Sequence, residues 1–135
     1  MSVVSIYDQF TQLTQREQQY ILLHPTHALI ISETKDIAFK ETQLRFGING
    51  HNDKSDAFRH CFWSALLARE IGYNGAREFT TAHESSPTNV PAEKDMDLRN
   101  NSVGLNIGKK GGTDKYLSSL CATALASGKL KVLVK

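Results

Sequence analysis

Residues 55–71 read SDAFRHCFWSALLAREI, and this stretch decides the fold class. Its apolar residues recur at the spacing of an α-helix, Ser55 can cap the start, and Gly72 can end it in the left-handed conformation. Helical spacing runs through nearly the whole chain, while strand-like alternation is confined to residues 130–134. We therefore predict an all-α fold, a compact bundle of about five or six helices with a short extended C-terminal segment.

The length of the chain suits one domain. At 135 residues it can bury enough apolar surface for a core, and no Pro/Ser-rich stretch separates two halves. We predict a single helical domain over residues 1–135, with an N-terminal helical scaffold (1–46), a site region that carries the motifs (47–108), and a C-terminal helix and tail (109–135). Residues 1–46 carry no recognisable chemical motif, so their role as scaffold or partner surface stays open.

Capping residues mark where helices begin. The spacing of Thr14 and Glu17 is that of a capping box, and Pro25 ends the helix that follows. A shorter turn is predicted around Ile6 and Phe10. The other predicted starts are residues common at helix N-termini, namely Thr26, Ser55, Asn74, Pro91 and Thr113.

Charge and hydropathy exclude several classes of protein. The formal net charge of +2, from 16 basic and 14 acidic residues, is too small for a dedicated nucleic-acid binder. The apolar run 28–31 is too short to span a bilayer, and the N terminus lacks the pattern of a cleavable signal peptide. We expect a soluble protein without a transmembrane segment, secreted or delivered into target cells by another route.

The two cysteines do not indicate a disulfide or a zinc site. Cys61 and Cys121 lie inside apolar helical patterns and not in the paired spacings of such sites. We predict two buried thiols.

One face of the helix that contains residues 55–71 is polar. Asp56, Arg59, His60 and Trp63 follow the spacing that places side chains on one side of a helix. Because an indole is costly to leave in water, something is expected to pack over this face. An ordinary Asp56–Arg59 ion pair beside a structural histidine is the competing interpretation.

A second pair, His83-Glu84, stands at the end of the next predicted helix. Two proton-transfer groups where a loop begins are typical of an active site, although a helix-dipole partner beside an exposed glutamate would look the same. The pair is not a zincin motif, because the second histidine is missing and Pro87 would break the helix.

The following helix carries an unusual load of short polar residues. Such residues disfavour helix interiors unless they bond to something specific. Gly104 costs roughly 1 kcal/mol of helix propensity, which indicates a close contact with another backbone or a ligand. The polar residues of this helix are Asp95, Asp97, Asn100, Asn101 and Asn106.

Three ordered motifs resemble a known family. Residues 56–66 read DAFRHCFWSAL, residues 82–84 read AHE, and residues 96–104 read MDLRNNSVG. They resemble the D-A-F-R-H-x-x-W, H-E and M-D-x-x-N-N-x-x-G motifs of a bacterial toxin-associated family of domains of unknown function, with Cys61 where a small residue is expected. The resemblance implies a toxin or effector module without implying a known reaction. The matching positions are Asp56, Arg59, His60, Trp63, His83, Glu84, Asp97, Asn100 and Asn101.

Two weaker resemblances concern the chemistry. A histidine oriented by an aspartate on a neighbouring helix resembles the dyad of phospholipases A2, whose calcium loop and disulfides are absent here. Glu84-Ser85 followed by residues 104–107 resembles lytic transglycosylases, in which a glutamic acid protonates the glycosidic oxygen.

The motifs together favour a hydrolase of the bacterial toxin or effector type. The candidate catalytic residues are His60, His83, Glu84 and Asp97, with either histidine as general base. The candidate substrate-binding residues are Asp56, Arg59, Trp63, Asn100 and Asn101. An envelope substrate, phospholipid or peptidoglycan, is favoured over nucleic acid because aromatic and basic residues are not interleaved. A cognate immunity protein is an expected partner.

The need for a metal is left open by the sequence. His60, His83 and Asp97 are the candidate ligands, and two imidazoles with one carboxylate suffice for a catalytic zinc. The same residues suffice for a metal-free acid–base site, and Arg59 would repel a cation if it pointed inward. We slightly favour the metal-free form. The alternatives are a metal-dependent nuclease toxin and a non-catalytic interaction module built on a structural polar network.

Overall fold

The computed structural model describes residues 12–134, which form six α-helices and no strand. These are α1 (Gln15–Leu23), α2 (His27–Phe46), α3 (Lys54–Ile71), α4 (Tyr73–His83), α5 (Pro91–Gly108) and α6 (Asp114–Ala126). The all-α prediction is confirmed. The segment after α6 stays irregular, and the backbone N–H groups of Leu133 and Val134 donate to the carbonyl of Asn52. The turn expected around Ile6 and Phe10 lies outside the described residues.

Helix α3 is the centre of the bundle. It contacts α2, α4, α5 and α6, and its contact with α5 is the most extensive. Its apolar side chains fill the core, and Phe58, Phe62 and Leu66 are fully buried. The helix that decided the fold class from the sequence is therefore the one around which the other helices pack.

Two glycines allow α5 to approach α3 backbone to backbone. A Cβ on Gly104 would lie 2.0 Å from the carbonyl oxygen of Cys61, and one on Gly108 would lie 2.0 Å from that of Ala65. No side chain fits at such distances. The close contact predicted for Gly104 is confirmed, and it brings the polar face of α5 against that of α3.

Most of the predicted helix starts are confirmed. Thr14 and Glu17 form both hydrogen bonds of the capping box, and Thr113 accepts a hydrogen bond from the backbone of Tyr116. Thr26 stands at the N-cap of α2, and Pro91 is the first residue of α5. Side-chain caps set the starts of α1 and α6, whereas Thr26 makes no side-chain cap hydrogen bond and Pro91 needs none.

Two predicted starts are wrong. Asp53, not Ser55, caps α3, because its carboxylate accepts the N–H of Asp56 at 3.0 Å and the hydroxyl of Ser55 at 2.6 Å. Helix α4 begins directly after Gly72, so Asn74 lies inside it. Gly72 has a φ of 87°, a left-handed value open to glycine, and it turns the chain from α3 into α4 within one residue.

Cys61 and Cys121 are buried free thiols, as predicted. A hydrogen bond that the Cys121 thiol donates to Cys61, together with burial, raises the pKa of Cys121, so that it stays a neutral thiol. None of the helices between residues 12 and 134 combines the length and the hydropathy needed to cross a bilayer.

Candidate active site at His60

The ring of His60 is held on its Nδ1 side by Asp56, one turn earlier in α3. Nδ1 lies 3.0 Å from Oδ1 of Asp56 and 3.1 Å from the Asp56 carbonyl oxygen. Asp56 is fixed in turn, because Oδ1 accepts from Arg59 at 2.7 Å and Oδ2 accepts from the backbone N–H of Asn52 at 2.7 Å. Both neighbours of Nδ1 are acceptors, so Nδ1 carries the proton.

The Nε2 side of His60 faces two carboxylates that come from other helices. Oε2 of Glu84, which directly follows α4, lies 3.8 Å from Nε2 of His60. Oδ1 of Asp97 on α5 lies 3.6 Å from the same nitrogen. These distances are too long for hydrogen bonds. Both oxygens are buried, and while both carboxylates are ionised neither oxygen accepts a hydrogen bond from a donor among residues 12–134. The Glu84 side chain is only 4% exposed. Such atoms are costly to the fold and require an explanation.

His83 is held in the same manner by a carboxylate from α1. Its Nδ1 lies 2.8 Å from Oε2 of Glu17, whose Oε1 accepts the backbone N–H of Thr14 at 2.9 Å. Thr14 also donates its hydroxyl to the Ala82 carbonyl oxygen at 2.9 Å. The capping box of α1 is thus docked on the end of α4. Because Nδ1 of His83 is bonded to Glu17, Nε2 is the ring nitrogen that this contact does not use.

Trp63 forms a wall beside the two histidines. Its ring stands edge-on to His83, with centroids 5.3 Å apart, and its Nε1 donates to the hydroxyl of Thr34 at 3.0 Å. The indole is therefore buried and oriented, as the packing argument for this helix face requires.

A cavity of about 160 Å³ opens next to these rings. Two cations stand at its wall, and the Arg59 guanidinium lies 4.8 Å from the centroid of the Phe39 ring. The lining residues are Lys35, Ala38, Phe39, Arg59, His60, Trp63 and His83. A small anionic group next to an apolar surface would suit this cavity.

The carboxylates shift the pKa of His60 upward. Burial alone would lower it, but the hydrogen bond to Asp56 and the charges of Asp97, Asp56 and Glu84 raise the pKa of His60 to about 9. With this pKa, His60 is protonated on both ring nitrogens at neutral pH. It is therefore a cation and a poor general base.

The other carboxylates divide into two groups. Burial, the charges of Glu84 and Asp56, and a hydrogen bond with the side chain of Glu84 raise the pKa of Asp97 to about 7 against the opposing charge of His60. Burial also disfavours ionisation of Glu17 and Asp56, but hydrogen bonds and charges from His83 and His60 outweigh it, so that both pKa values fall below the ordinary range. The two carboxylates behind the histidines are therefore firmly ionised.

Two groups of side chains bring ligand atoms close enough to share an ion. His60, His83 and Glu84 offer atoms that lie within 4.8 Å of one another, and so do Asp56, His60 and Asp97. Imidazole and carboxylate together suit zinc and similar divalent ions.

The sequence profile described as a domain of unknown function, DUF6973, matches residues 18–129. The chain belongs to the DUF6973 family. No curated protein and no solved structure matches the chain. The matched residues include the three segments 56–66, 82–84 and 96–104, while Glu17 stands just before the matched range.

The DUF6973 fold brings most of the predicted site residues together. His60, His83, Glu84 and Asp97 converge from three elements. The two histidines line the cavity, whereas Glu84, Asp97 and Asp56 do not. Arg59 and Trp63 line the cavity.

Asn100 and Asn101 lie about one turn further along α5 and do not line the cavity. Asn100 is fully buried and pairs with the backbone of Lys131, donating to its carbonyl at 2.9 Å and accepting its N–H at 2.8 Å. Asn101 accepts a hydrogen bond from the buried hydroxyl of Ser64 at 3.2 Å. These contacts hold the DUF6973 fold together, in place of the substrate contact expected from the motif.

Residues before position 46 take part in the site and were not predicted from the sequence. Glu17 orients His83, Thr34 anchors Trp63, and Lys35 and Phe39 line the cavity. The capping box was a visible signal for Glu17, because a carboxylate has two oxygens and the cap uses only one. The other residues offered no signal, since their contacts depend on how α2 crosses α3.

Proposed function

We propose that this DUF6973 domain is a hydrolase of the bacterial toxin or effector type, with its reacting centre between His60, Glu84 and Asp97. One observation carries the proposal: two buried carboxylate oxygens without hydrogen-bond partners face one imidazole nitrogen beside an open cavity. Buried acceptors without donors lower the stability of the fold. They suit hydrolysis, because the attacking water molecule must be held and deprotonated.

The proposed step is the attack of water on an acyl or phosphoryl centre. Water held by His60, Glu84 and Asp97 forms the new bond through its oxygen while Asp97 takes one of its protons. The bond to the leaving oxygen then breaks, its electron pair stays on that oxygen, and Asp97 returns the proton there. Asp97 suits this transfer because its side chain is 14% exposed, against 4% for Glu84.

The cavity supports an anionic substrate from the cell envelope. Lys35 and Arg59 supply positive charge, while Phe39 and Trp63 supply apolar surface. Of the two envelope substrates, phospholipid and peptidoglycan, this combination favours the phospholipid, whose phosphate adjoins a hydrocarbon chain. Delivery into a target cell and a cognate immunity protein belong to the same proposal and are supported by the toxin-associated motifs.

The test is a product assay on defined substrates with a matched pair of variants. Purified protein is incubated separately with phospholipid vesicles, peptidoglycan sacculi, RNA and DNA, and released products are identified by mass spectrometry. Asp97→Asn is expected to lose about 10²-fold or more of the activity on the vesicles without loss of thermal stability. Asp95→Asn, the same change two residues earlier on α5 with a side chain 69% exposed, is expected to keep it.

Two results would contradict the proposal. One is the absence of product from every substrate, and the other is full activity in Asp97→Asn. Cleavage of RNA or DNA with the envelope substrates intact would replace the envelope hydrolase with the nuclease alternative.

A further inference from the structure

We propose that His60, His83 and Glu84 bind one divalent transition-metal ion, zinc or manganese, at the DUF6973 site. Their ligand atoms lie within 4.8 Å of one another. The catalytic use of the ion rests on the hydrolase function proposed above, whereas its binding does not.

Hydrogen bonds at Nδ1 fix the tautomer and the orientation of both histidines, so that each can bind an ion through Nε2. Nδ1 of His60 faces acceptors of Asp56, and Nδ1 of His83 faces the carboxylate of Glu17. Each Nδ1 therefore carries a hydrogen, which leaves the lone pair of the neutral ring on Nε2. A carboxylate behind each ligating imidazole is the usual arrangement at protein metal sites, where it fixes the tautomer and the orientation of the ring.

The distances at His60 leave room for an ion between Nε2 and the carboxylates. A direct charge-assisted hydrogen bond between Nε2 and a carboxylate would be about 2.7–2.9 Å long. The observed separations are 3.6 Å to Asp97 and 3.8 Å to Glu84. Two ligands of a tetrahedral ion with bonds of roughly 2.0–2.1 Å lie about 3.3–3.4 Å apart, which is nearer to these values.

The charges of the site also suit a divalent cation. Arg59 is paired with Asp56 on the Nδ1 side of His60, and its other contacts go to Asn49, the Gly50 carbonyl and the Phe39 ring. It therefore does not stand between Nε2 and the carboxylates. A divalent cation between Glu84 and Asp97 would favour the ionised form of both carboxyl groups.

The second group of ligand atoms does not form a separate site. Asp56 is committed to Nδ1 of His60, whereas Asp97 faces Nε2, so one ion cannot bind both carboxylates through the same ring. Asp97 instead faces the open position of an ion held by His60, His83 and Glu84. That is where a catalytic zinc keeps its water.

Titration of the chelator-treated protein with Zn²⁺ or Mn²⁺ alone tests the site. Isothermal calorimetry should give one ion per chain, and the melting temperature should rise with the ion. Glu84→Gln should lose both responses. Glu78→Gln, which changes an exposed carboxylate on α4, should keep both. If Glu84→Gln fails to fold, His83→Gln serves in its place, because that side chain is 32% exposed.

A variant of Glu17, which orients His83, gives a second test of the metal site. Glu17→Gln keeps all three ligands but weakens the support of His83, so its affinity should fall by about 10–100-fold without loss of stoichiometry. Absence of saturable binding, or equal binding by Glu84→Gln and the unchanged protein, would overturn the metal site. Vesicle hydrolysis that persists in chelator would overturn the catalytic use of the ion while leaving the hydrolase intact. Stoichiometric binding without hydrolysis would keep the metal site and reject the hydrolase.

Discussion

Helix α5 carries two polar regions that differ in whether their buried polar groups have hydrogen-bond partners. The closed network consists of Asn100 and Asn101 with their partners Lys131 and Ser64, and the amide of Asn100 is bonded at both ends. The open site consists of Asp97 with Glu84 and Nε2 of His60, and one oxygen of each carboxylate has no partner in the described part of the chain. The two regions begin three residues apart.

The difference separates residues that make the fold from residues kept for a ligand. A buried polar group with all its bonds made stabilises one structure, whereas a buried charge without a partner costs free energy. Proteins tolerate that cost chiefly at functional sites. Asn100 and Asp97 belong to the same sequence motif, so membership of a motif does not by itself assign a function.

Asn100→Asp should have the largest effect on stability. The substitution places a carboxylate oxygen against the Lys131 carbonyl, where the amide now donates. An uncompensated buried charge costs on the order of 3–5 kcal/mol. Urea unfolding at pH 7 measures the loss, and much of it should return near pH 4, because a protonated carboxyl can donate to that carbonyl. An unaltered unfolding midpoint at pH 7 would show that the closed network does not stabilise the fold.

Gly104→Ala should damage both regions at once. The added methyl would meet the Cys61 carbonyl at 2.0 Å, so α5 must move away from α3. Overpacking of this kind costs about 1–3 kcal/mol, and the shift would also separate Asp97 from His60. Thermal melting and the vesicle assay should therefore both show a loss. A variant with unchanged stability would contradict the close contact of the two helices.

Glu84→Gln should have a smaller effect of opposite sign on the ion-free protein. The amide removes a buried carboxylate oxygen that accepts no hydrogen bond, loses the attraction to His60 at 3.8 Å, and can keep the contact that Asn89 makes with the side-chain oxygen. We expect unchanged stability or a gain of up to about 1 kcal/mol in urea unfolding. A loss comparable to that of Asn100→Asp would mean that Glu84 belongs to the structural network.

The smallest expected effect is a pH dependence of the ion-free protein. Because the pKa of His60 is raised to about 9 from an ordinary 6.5, its contribution to stability is complete below about 6.5 and disappears as the pH rises through 9. The groups that face it are Asp56, Glu84 and Asp97. Melting temperatures should therefore fall between pH 6.5 and 9, and His60→Gln should reduce the fall. A melting temperature that rises over this interval would contradict the electrostatics of the site.

The sequence was sufficient for the fold class and for most of the residues that meet at the candidate site. Helical periodicity predicts α3, and the contact of Gly104 follows from a glycine kept inside a helix at a cost in propensity. His60, His83, Glu84 and Asp97 could be named because acid–base groups stand out where a helix otherwise carries apolar residues. Each of these signals can be read from residues that lie close together in the sequence.

What the sequence could not supply depends on the packing of distant segments. Glu17 and His83 meet only because α1 docks on the end of α4, and Thr34 meets Trp63 only where α2 crosses α3. For the same reason Asn100 could not be separated from Asp97. Their side chains differ in direction around α5, and what each contacts is set by the C-terminal segment and by α4.

An anomalous-scattering experiment on crystals grown with zinc tests the central claim, that the unpartnered oxygens of the open site are kept for a ligand. The account predicts one anomalous peak, about 2.0–2.2 Å from Nε2 of His60, Nε2 of His83 and an oxygen of Glu84, with Asp97 facing the remaining position. Zinc bound only at other places, with the Glu84 oxygen hydrogen-bonded to a protein donor, would contradict it.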